Sequence, residues 1–280
     1  MRLLIGEDRI SAETICNYHN VIFPVFNVGQ NGNLTNLIGT CFRIADGFFI
    51  TAAHIFSYFI DINNEKKKLP IHRDKQKTYE FKKMAVGILE PVVTTSGVVT
   101  ERKHLVEYVI MPQNYDIAFL FSFNSIQENQ NSQGVCRIPI LNSVKSGERV
   151  QAIGYSNKYS SFNFLEKEID LCLHQVEGRV IDYKESGFQM NPYPCYASCM
   201  NILPGHSGAP VLNSDLRFVI GVSSSSCIGE NGETSLFTAI SDIMDEEFDF
   251  PYFKNDKISI SEGKSTLRQL TDQGLIISYP

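Results

Sequence analysis

No apolar run in this 280-residue sequence approaches the length that a membrane-spanning helix needs. The opening residues, Met1 to Asp8, lack the longer apolar stretch of a secretory signal. Basic charge is not in surplus: the net charge is −6 and the pI near 5.6, which argues against nucleic acid or anionic membrane as partners. The single basic cluster, Lys66-Lys67-Lys68, is short and followed by mixed charge, and reads as a solvated loop. There is no internal repeat, and no low-complexity run beyond one polar stretch at 124–133. The seven cysteines are scattered at 16, 41, 136, 172, 195, 199 and 227. An odd number without an export signal implies reduced thiols in a cytoplasmic setting rather than a disulfide framework. Cys195, Cys199 and His174 do not have a zinc-type spacing, so neither a metal nor another cofactor is expected.

Helical periodicity is almost absent too, and what takes its place is a succession of short β-rich runs broken by Gly and Asn. Residues 1–19 read as an irregular or partly helical lead-in. A first β-rich segment, 20–124, contains Val21 to Val28, Ile38 to Ile44 and Phe48 to His54, with a hairpin signal at Asp46-Gly47. It ends on Tyr115-Asp116-Ile117-Ala118-Phe119-Leu120-Phe121. The polar stretch Asn124 to Gln133 serves as a linker into a second β-rich segment, 125–245. There the strands are Arg149 to Gly154, Ile169 to Val176, Val180 to Ile181, Phe218 to Val222 and Leu236 to Ile240. The remaining residues, 246–280, follow an acidic run at Asp245-Glu246-Glu247 and have no evident role. Short strands at hairpin spacing point to an all-β barrel or sandwich architecture.

Within that pattern, Asn201-Ile202-Leu203-Pro204-Gly205-His206-Ser207-Gly208-Ala209-Pro210 places a serine between two glycines ahead of a β-rich run. A serine hydroxyl becomes a useful nucleophile where a tight backbone exposes it, a base reaches it and backbone N–H groups face the developing oxyanion. The same residues could make no more than a Gly-Ser turn between strands. His54 ends a strand beside the small residues Ala52 and Ala53, which suggests close packing around a positioned imidazole. Asp116 opens an apolar strand, where a carboxylate needs a hydrogen-bonding partner. The six histidines, 19, 54, 72, 104, 174 and 206, all precede Ser207. That excludes the serine–acid–histidine order of α/β-hydrolases. The order His54, Asp116, Ser207 is the one found with an all-β fold.

On these motifs the chain resembles the trypsin-like, chymotrypsin-fold serine peptidases of the bacterial kind, HtrA-type and glutamyl endopeptidase domains among them. Thr51-Ala52-Ala53-His54, Asp116-Ile117-Ala118 and Gly205-His206-Ser207-Gly208-Ala209-Pro210 carry the resemblance, supported by Gly39-Thr40-Cys41-Phe42, Val150 to Gly154 and Phe218 to Val222. It covers roughly residues 20–245. It implies two antiparallel six-stranded β-barrels with the site between them. It further implies Ser207 as nucleophile, His54 as base, Asp116 as its orienting carboxylate, and the N–H groups of Gly205 and Ser207 as the oxyanion hole. The specificity pocket would be built from Asn201 at its base, the Val222 to Ser226 segment with Ser223, Ser224 and Ser226 as a wall, and Ser235 at its side. None of these is acidic, so a small or uncharged polar residue is expected on the acyl side of the cleaved bond.

His206 departs from the family pattern, standing where zymogen-activated members carry an aspartate, so activation by a freed N-terminus is not expected. Ile55 replaces a disulfide cysteine of secreted animal trypsins. The expected partner is a protein or peptide substrate, with restraint by narrow substrate range or by an activating or inhibiting protein. Two alternatives stay open: a catalytically silent member of the fold used as a protein-binding module, and a serine esterase.

Overall fold

The structure, a computed structural model, describes residues 2–5, 18, 20–29, 33–56, 71–73, 76–80, 86–93, 99–122, 140–141, 143–157, 160–163, 168–189, 191–229, 232–254, 257–260, 264–276 and 278–279. The Lys66–Lys68 cluster and the 124–133 linker lie outside the described residues. Strands dominate, and they gather into two large sheets.

The first sheet has nine strands. Its centre is the hairpin Leu34–Ala45 and Phe48–Thr51, turned at Asp46-Gly47, where Gly47 takes φ +66° as the sequence signal requires. Ile22–Val28 flanks the hairpin on one side and Ala118–Phe121 on the other. The Phe48–Thr51 and Ala118–Phe121 strands carry buried residues at every position, so both of their faces are covered.

In the second sheet, six strands close into a ring: Arg149–Tyr155, Glu168–Lys184, Cys195–Ser198, Gly232–Ala239, Val219–Gly229 and Pro210–Asn213. Pro210–Asn213 pairs with both Val219–Gly229 and Arg149–Tyr155 and so shuts the barrel. Val150, Ala152, Met200, Val211, Ile220 and Phe237 pack together inside. The expected pair of six-stranded barrels is therefore realised as one closed six-stranded barrel and one curled sheet. In the curled sheet the terminal strands, Ile71–Arg73 and Val99–Leu105, form no ladder with each other among the described residues. Ile153, Tyr155, Leu212 and Val222 of the barrel share one hydrophobic core with Ile22, Phe42 and Ile50 of the curled sheet.

Both ends of the chain return to these sheets. Part of the lead-in is a strand rather than irregular or helical: Arg2–Ile5 pairs in parallel with Asp170–Leu173, using backbone groups on an open edge of the long Glu168–Lys184 strand. After residue 245, Phe248 and Phe250 both pack edge-on against Phe119, and Phe250 also meets Phe48 and Phe121 at a tilt, all on the curled sheet. A short helix, Leu267–Asp272, opens with a Thr266/Gln269 capping box and is tied by Arg268 to Asp245. Ser278–Tyr279 then pairs with Ile140–Leu141, which lies against Val219 of the barrel.

Candidate active site

His54 sits in a 3₁₀ turn, Ala53–Phe56, directly after the Phe48–Thr51 strand. Asp116 precedes Ala118–Phe121, and the antiparallel register sets Ala118 opposite Thr51, so the two residues leave the sheet at the same end. The His54 backbone N–H donates to Asp116 Oδ1 at 2.8 Å, and His54 Nδ1 meets Asp116 Oδ2 at 2.8 Å. A third donor, the Ser224 hydroxyl, also reaches Asp116 Oδ2. Burial pushes the Asp116 carboxyl up, but these hydrogen bonds and the His54 charge outweigh it and hold its pKa below the ordinary value. For His54, burial pulls down while the Asp116 hydrogen bond and charge pull up more strongly, leaving its pKa raised above 6.5. The imidazole side chain is 40% exposed, so its outer edge faces solvent.

The turn carrying Ser207 is held plane by plane. The Pro204 carbonyl accepts from Asn157 N–H at 2.9 Å, and the His206 carbonyl accepts from Ala209 N–H at 2.8 Å. The Ser207 carbonyl accepts from Thr40 N–H at 2.8 Å, and Gly208 N–H donates to the Ser223 carbonyl at 2.7 Å. Gly205 at φ +98° and Gly208 at φ +86° occupy the left-handed region, and a Cβ at Gly208 would run into Thr51 Oγ1 and the Thr40 carbonyl. Among the described residues nothing accepts from the N–H groups of Gly205 and Ser207. Two unbonded N–H donors flanking His206, one of them on the serine itself, can bind an oxyanion.

The Ser207 hydroxyl donates to the Ser224 carbonyl at 3.0 Å and not to His54. Ser224 thus touches both halves of the site, its hydroxyl on Asp116 and its carbonyl on Ser207. A break in register between Ser223 and Ser226 in the Val219–Gly229 strand, a β-bulge, makes that possible by re-aiming the residues between. Asn191 Nδ2 donates to the Ser224 hydroxyl at 3.3 Å.

His206 is fully buried, and neither ring nitrogen has a hydrogen-bond partner. Burial, with His174 5.9 Å away centroid to centroid, drops its pKa to about 3 and keeps it neutral. Of the residues assigned to a pocket, Ser223 is fully buried with its hydroxyl unpaired, and Ser235 is fully buried and bonded to the Ser198 hydroxyl at 2.6 Å. Ser226 is exposed. Ser224 is buried and gives its hydroxyl to Asp116, and Asn201 is exposed. Among the described residues no three His, Cys, Asp or Glu side chains gather as metal ligands. Sequence reasoning missed the parts played by Ser224, Asn191 and Asn157. A serine run at a strand end was the one available signal for the first, and nothing marked the other two.

A family model described as a trypsin-like peptidase domain matches residues 39–222. No curated protein sequence matches significantly. Similar solved structures include Deg5, with a TM-score of 0.49 and 14% identity over 84% of this chain and 93% of that one. The MamO protease domain from Magnetospirillum magneticum gives a TM-score of 0.48 and 17% identity over 81% and 95%. An inactive mutant form of Rv3671c from M. tuberculosis H37Rv gives 0.47 and 14% over 86% and 93%. The matched span takes in His54, Asp116 and Ser207 together, and on it the chain belongs to the trypsin-like peptidase domain family.

Proposed function

We propose that this protein is a serine endopeptidase. The observation that carries the reading is a carboxylate-held imidazole, Asp116 to His54, in one site with a serine whose turn leaves two N–H donors free. In the reaction, Ser207 Oγ leaves the Ser224 carbonyl, passes its proton to His54 Nε2 and attacks the substrate carbonyl carbon. The oxyanion that forms is bound by the N–H groups of Gly205 and Ser207, where losing one donor typically costs about 100- to 1,000-fold. The C–N bond breaks as His54 protonates the departing amine, and water then hydrolyses the acyl-enzyme by the reverse proton path. Asp116 fixes the tautomer and stabilises the imidazolium. No metal or other cofactor takes part in this scheme.

The substrate is a protein or peptide with a small or uncharged polar residue on the acyl side, in keeping with buried hydroxyls at Ser223 and Ser235 and no acidic group among them. His206 has no carboxylate to pair with a freed N-terminus, so restraint comes instead from narrow specificity or a protein partner. A cytoplasmic setting fits the free thiols of Cys41, Cys195, Cys199 and Cys227. A second reading, a silent protein-binding module, draws on the Ser207 hydroxyl being bonded away from His54. Casein and a chromogenic ester assayed side by side, with Ser207→Ala as control, separate the cases. Turnover of casein and ester, both lost in the variant, supports the endopeptidase; ester turnover alone marks an esterase. A peptide-library digest dominated by Arg, Lys or large aromatic residues would sink the specificity assignment.

A further inference from the structure

Thr40 is fully buried, and every polar atom it has is engaged around the Ser207 turn. Its N–H donates to the Ser207 carbonyl at 2.8 Å, and its carbonyl accepts from the Thr51 hydroxyl at 2.6 Å. Its side chain does something more specific. Tyr155 N–H donates to Thr40 Oγ1 at 2.9 Å, and Thr40 Oγ1 donates to the Gly205 carbonyl at 2.8 Å. Because Tyr155 occupies the hydroxyl as an acceptor, the hydroxyl proton is directed onto Gly205. The Thr40 hydroxyl therefore holds the Gly205–His206 peptide plane, which joins the two planes carrying the N–H groups of Gly205 and Ser207, while the Thr40 N–H holds the Ser207 carbonyl. Gly205, at φ +98° with no Cβ, has more freedom to rotate its peptide planes than the non-glycine residues of the turn.

We propose that the Thr40 hydroxyl is a positioning residue for the oxyanion-binding N–H groups, holding the Gly205 backbone so that both donors converge on one point. This rests on the endopeptidase reading above. The hydroxyl touches neither substrate nor reacting atoms; it acts through Gly205. Removing it leaves the buried Tyr155 N–H and the part-buried Gly205 carbonyl without that partner, and the Gly205–His206 plane keeps only the His206 N–H bond to the Leu203 carbonyl at 3.0 Å. The loss should fall on the transition state. Acylation and deacylation both pass through a tetrahedral oxyanion, so both slow together, lowering kcat while leaving KM unchanged.

The test compares wild type with Thr40→Ser, Thr40→Cys and Thr40→Val, using p-nitrophenyl acetate turnover, the rate of fluorophosphonate labelling and thermal melting. Thr40→Ser keeps the hydroxyl and should stay within about threefold of wild type, since the donor is retained. Thr40→Val should lose about 10- to 100-fold in kcat and in labelling rate, less than deletion of an oxyanion donor itself, with KM unchanged. Thr40→Cys, with its weak S–H donor, should fall between them and stands in if the valine variant does not fold. A folded Thr40→Val or Thr40→Cys with kcat within twofold of an active wild type overturns this inference alone. So does a loss that appears only in KM, or a folded Thr40→Ser as impaired as valine. A folded wild type that neither labels nor turns over the ester overturns the endopeptidase reading and this inference with it.

Discussion

Asp116 stays ionised at 2% exposure because three donors converge on it, two from His54 and one from Ser224. The same contacts raise the pKa of His54, and the sign of that shift has a kinetic consequence. A general base must be neutral to accept a proton, so kcat/KM should climb with pH through a midpoint above 6.5 and then level. A pH–rate profile with its midpoint below 6.5 would contradict this. Asp116→Asn should cut kcat by about 10⁴ while leaving the fold intact. At this scale His54, Asp116 and Ser207 were legible because each lies in a short local motif and their order along the chain is diagnostic. Ser224 was not legible as their common partner. It lies in a run of four serines, Ser223 to Ser226, and only the local backbone decides which one faces Asp116.

Elements explain the rest of the site's placement. The Asp46-Gly47 hairpin was readable from turn chemistry alone, and it delivers His54 to the sheet end where Ala118 pairs with Thr51. The segment after 245 was not readable, because the aromatic partners of Phe248 and Phe250 lie more than a hundred residues earlier in the chain. Once folded, Phe250 packs against Phe48, Phe119, Phe121 and Phe248 at ring-centroid distances of 5.5, 5.4, 6.2 and 5.4 Å. The segment is therefore a built part of the curled sheet rather than an appended tail. Phe250→Ala should destabilise the protein by about 3–5 kcal/mol, the usual cost of emptying a buried phenylalanine site. Urea unfolding measures it, and a loss under about 1 kcal/mol would mean that these rings do little for the fold.

For the molecule as a whole, stability depends on a charge cluster buried in the curled sheet. Arg43 lies 4.7 and 5.4 Å from the ring centres of Phe23 and Phe49, and it meets Glu90 at 3.2 Å. His104 Nε2 lies 2.6 Å from the same carboxylate. Burial would push the Glu90 carboxyl up, yet the His104 hydrogen bond and the charges of Arg43, His104 and Arg102 bring it to about 2. Its ionisation thus favours the folded state at any pH above the ordinary 4.5, and that contribution, about 3 kcal/mol, is lost as pH falls from 4.5 toward 2. His206 works in the same direction, since below 6.5 the unfolded chain binds a proton that the folded one refuses down to about 3. Glu90→Gln should cost about 3–5 kcal/mol near neutrality by leaving Arg43 buried and unpaired. The gap between its melting temperature and that of wild type should close as pH falls below 4.5, and a constant gap would contradict the account. The two-sheet architecture was legible from alternating short strands and turns. Closure of the six-stranded barrel was not, because it depends on Pro210–Asn213 pairing with two strands at once.

Fluorophosphonate labelling of the purified full chain, beside Ser207→Ala and His54→Ala, tests the central claim most directly. The account predicts that wild type labels and that both folded variants do not, which requires a nucleophile and base assembled in one site. A folded wild type that fails to label, or a Ser207→Ala variant that labels as well as wild type, would contradict it.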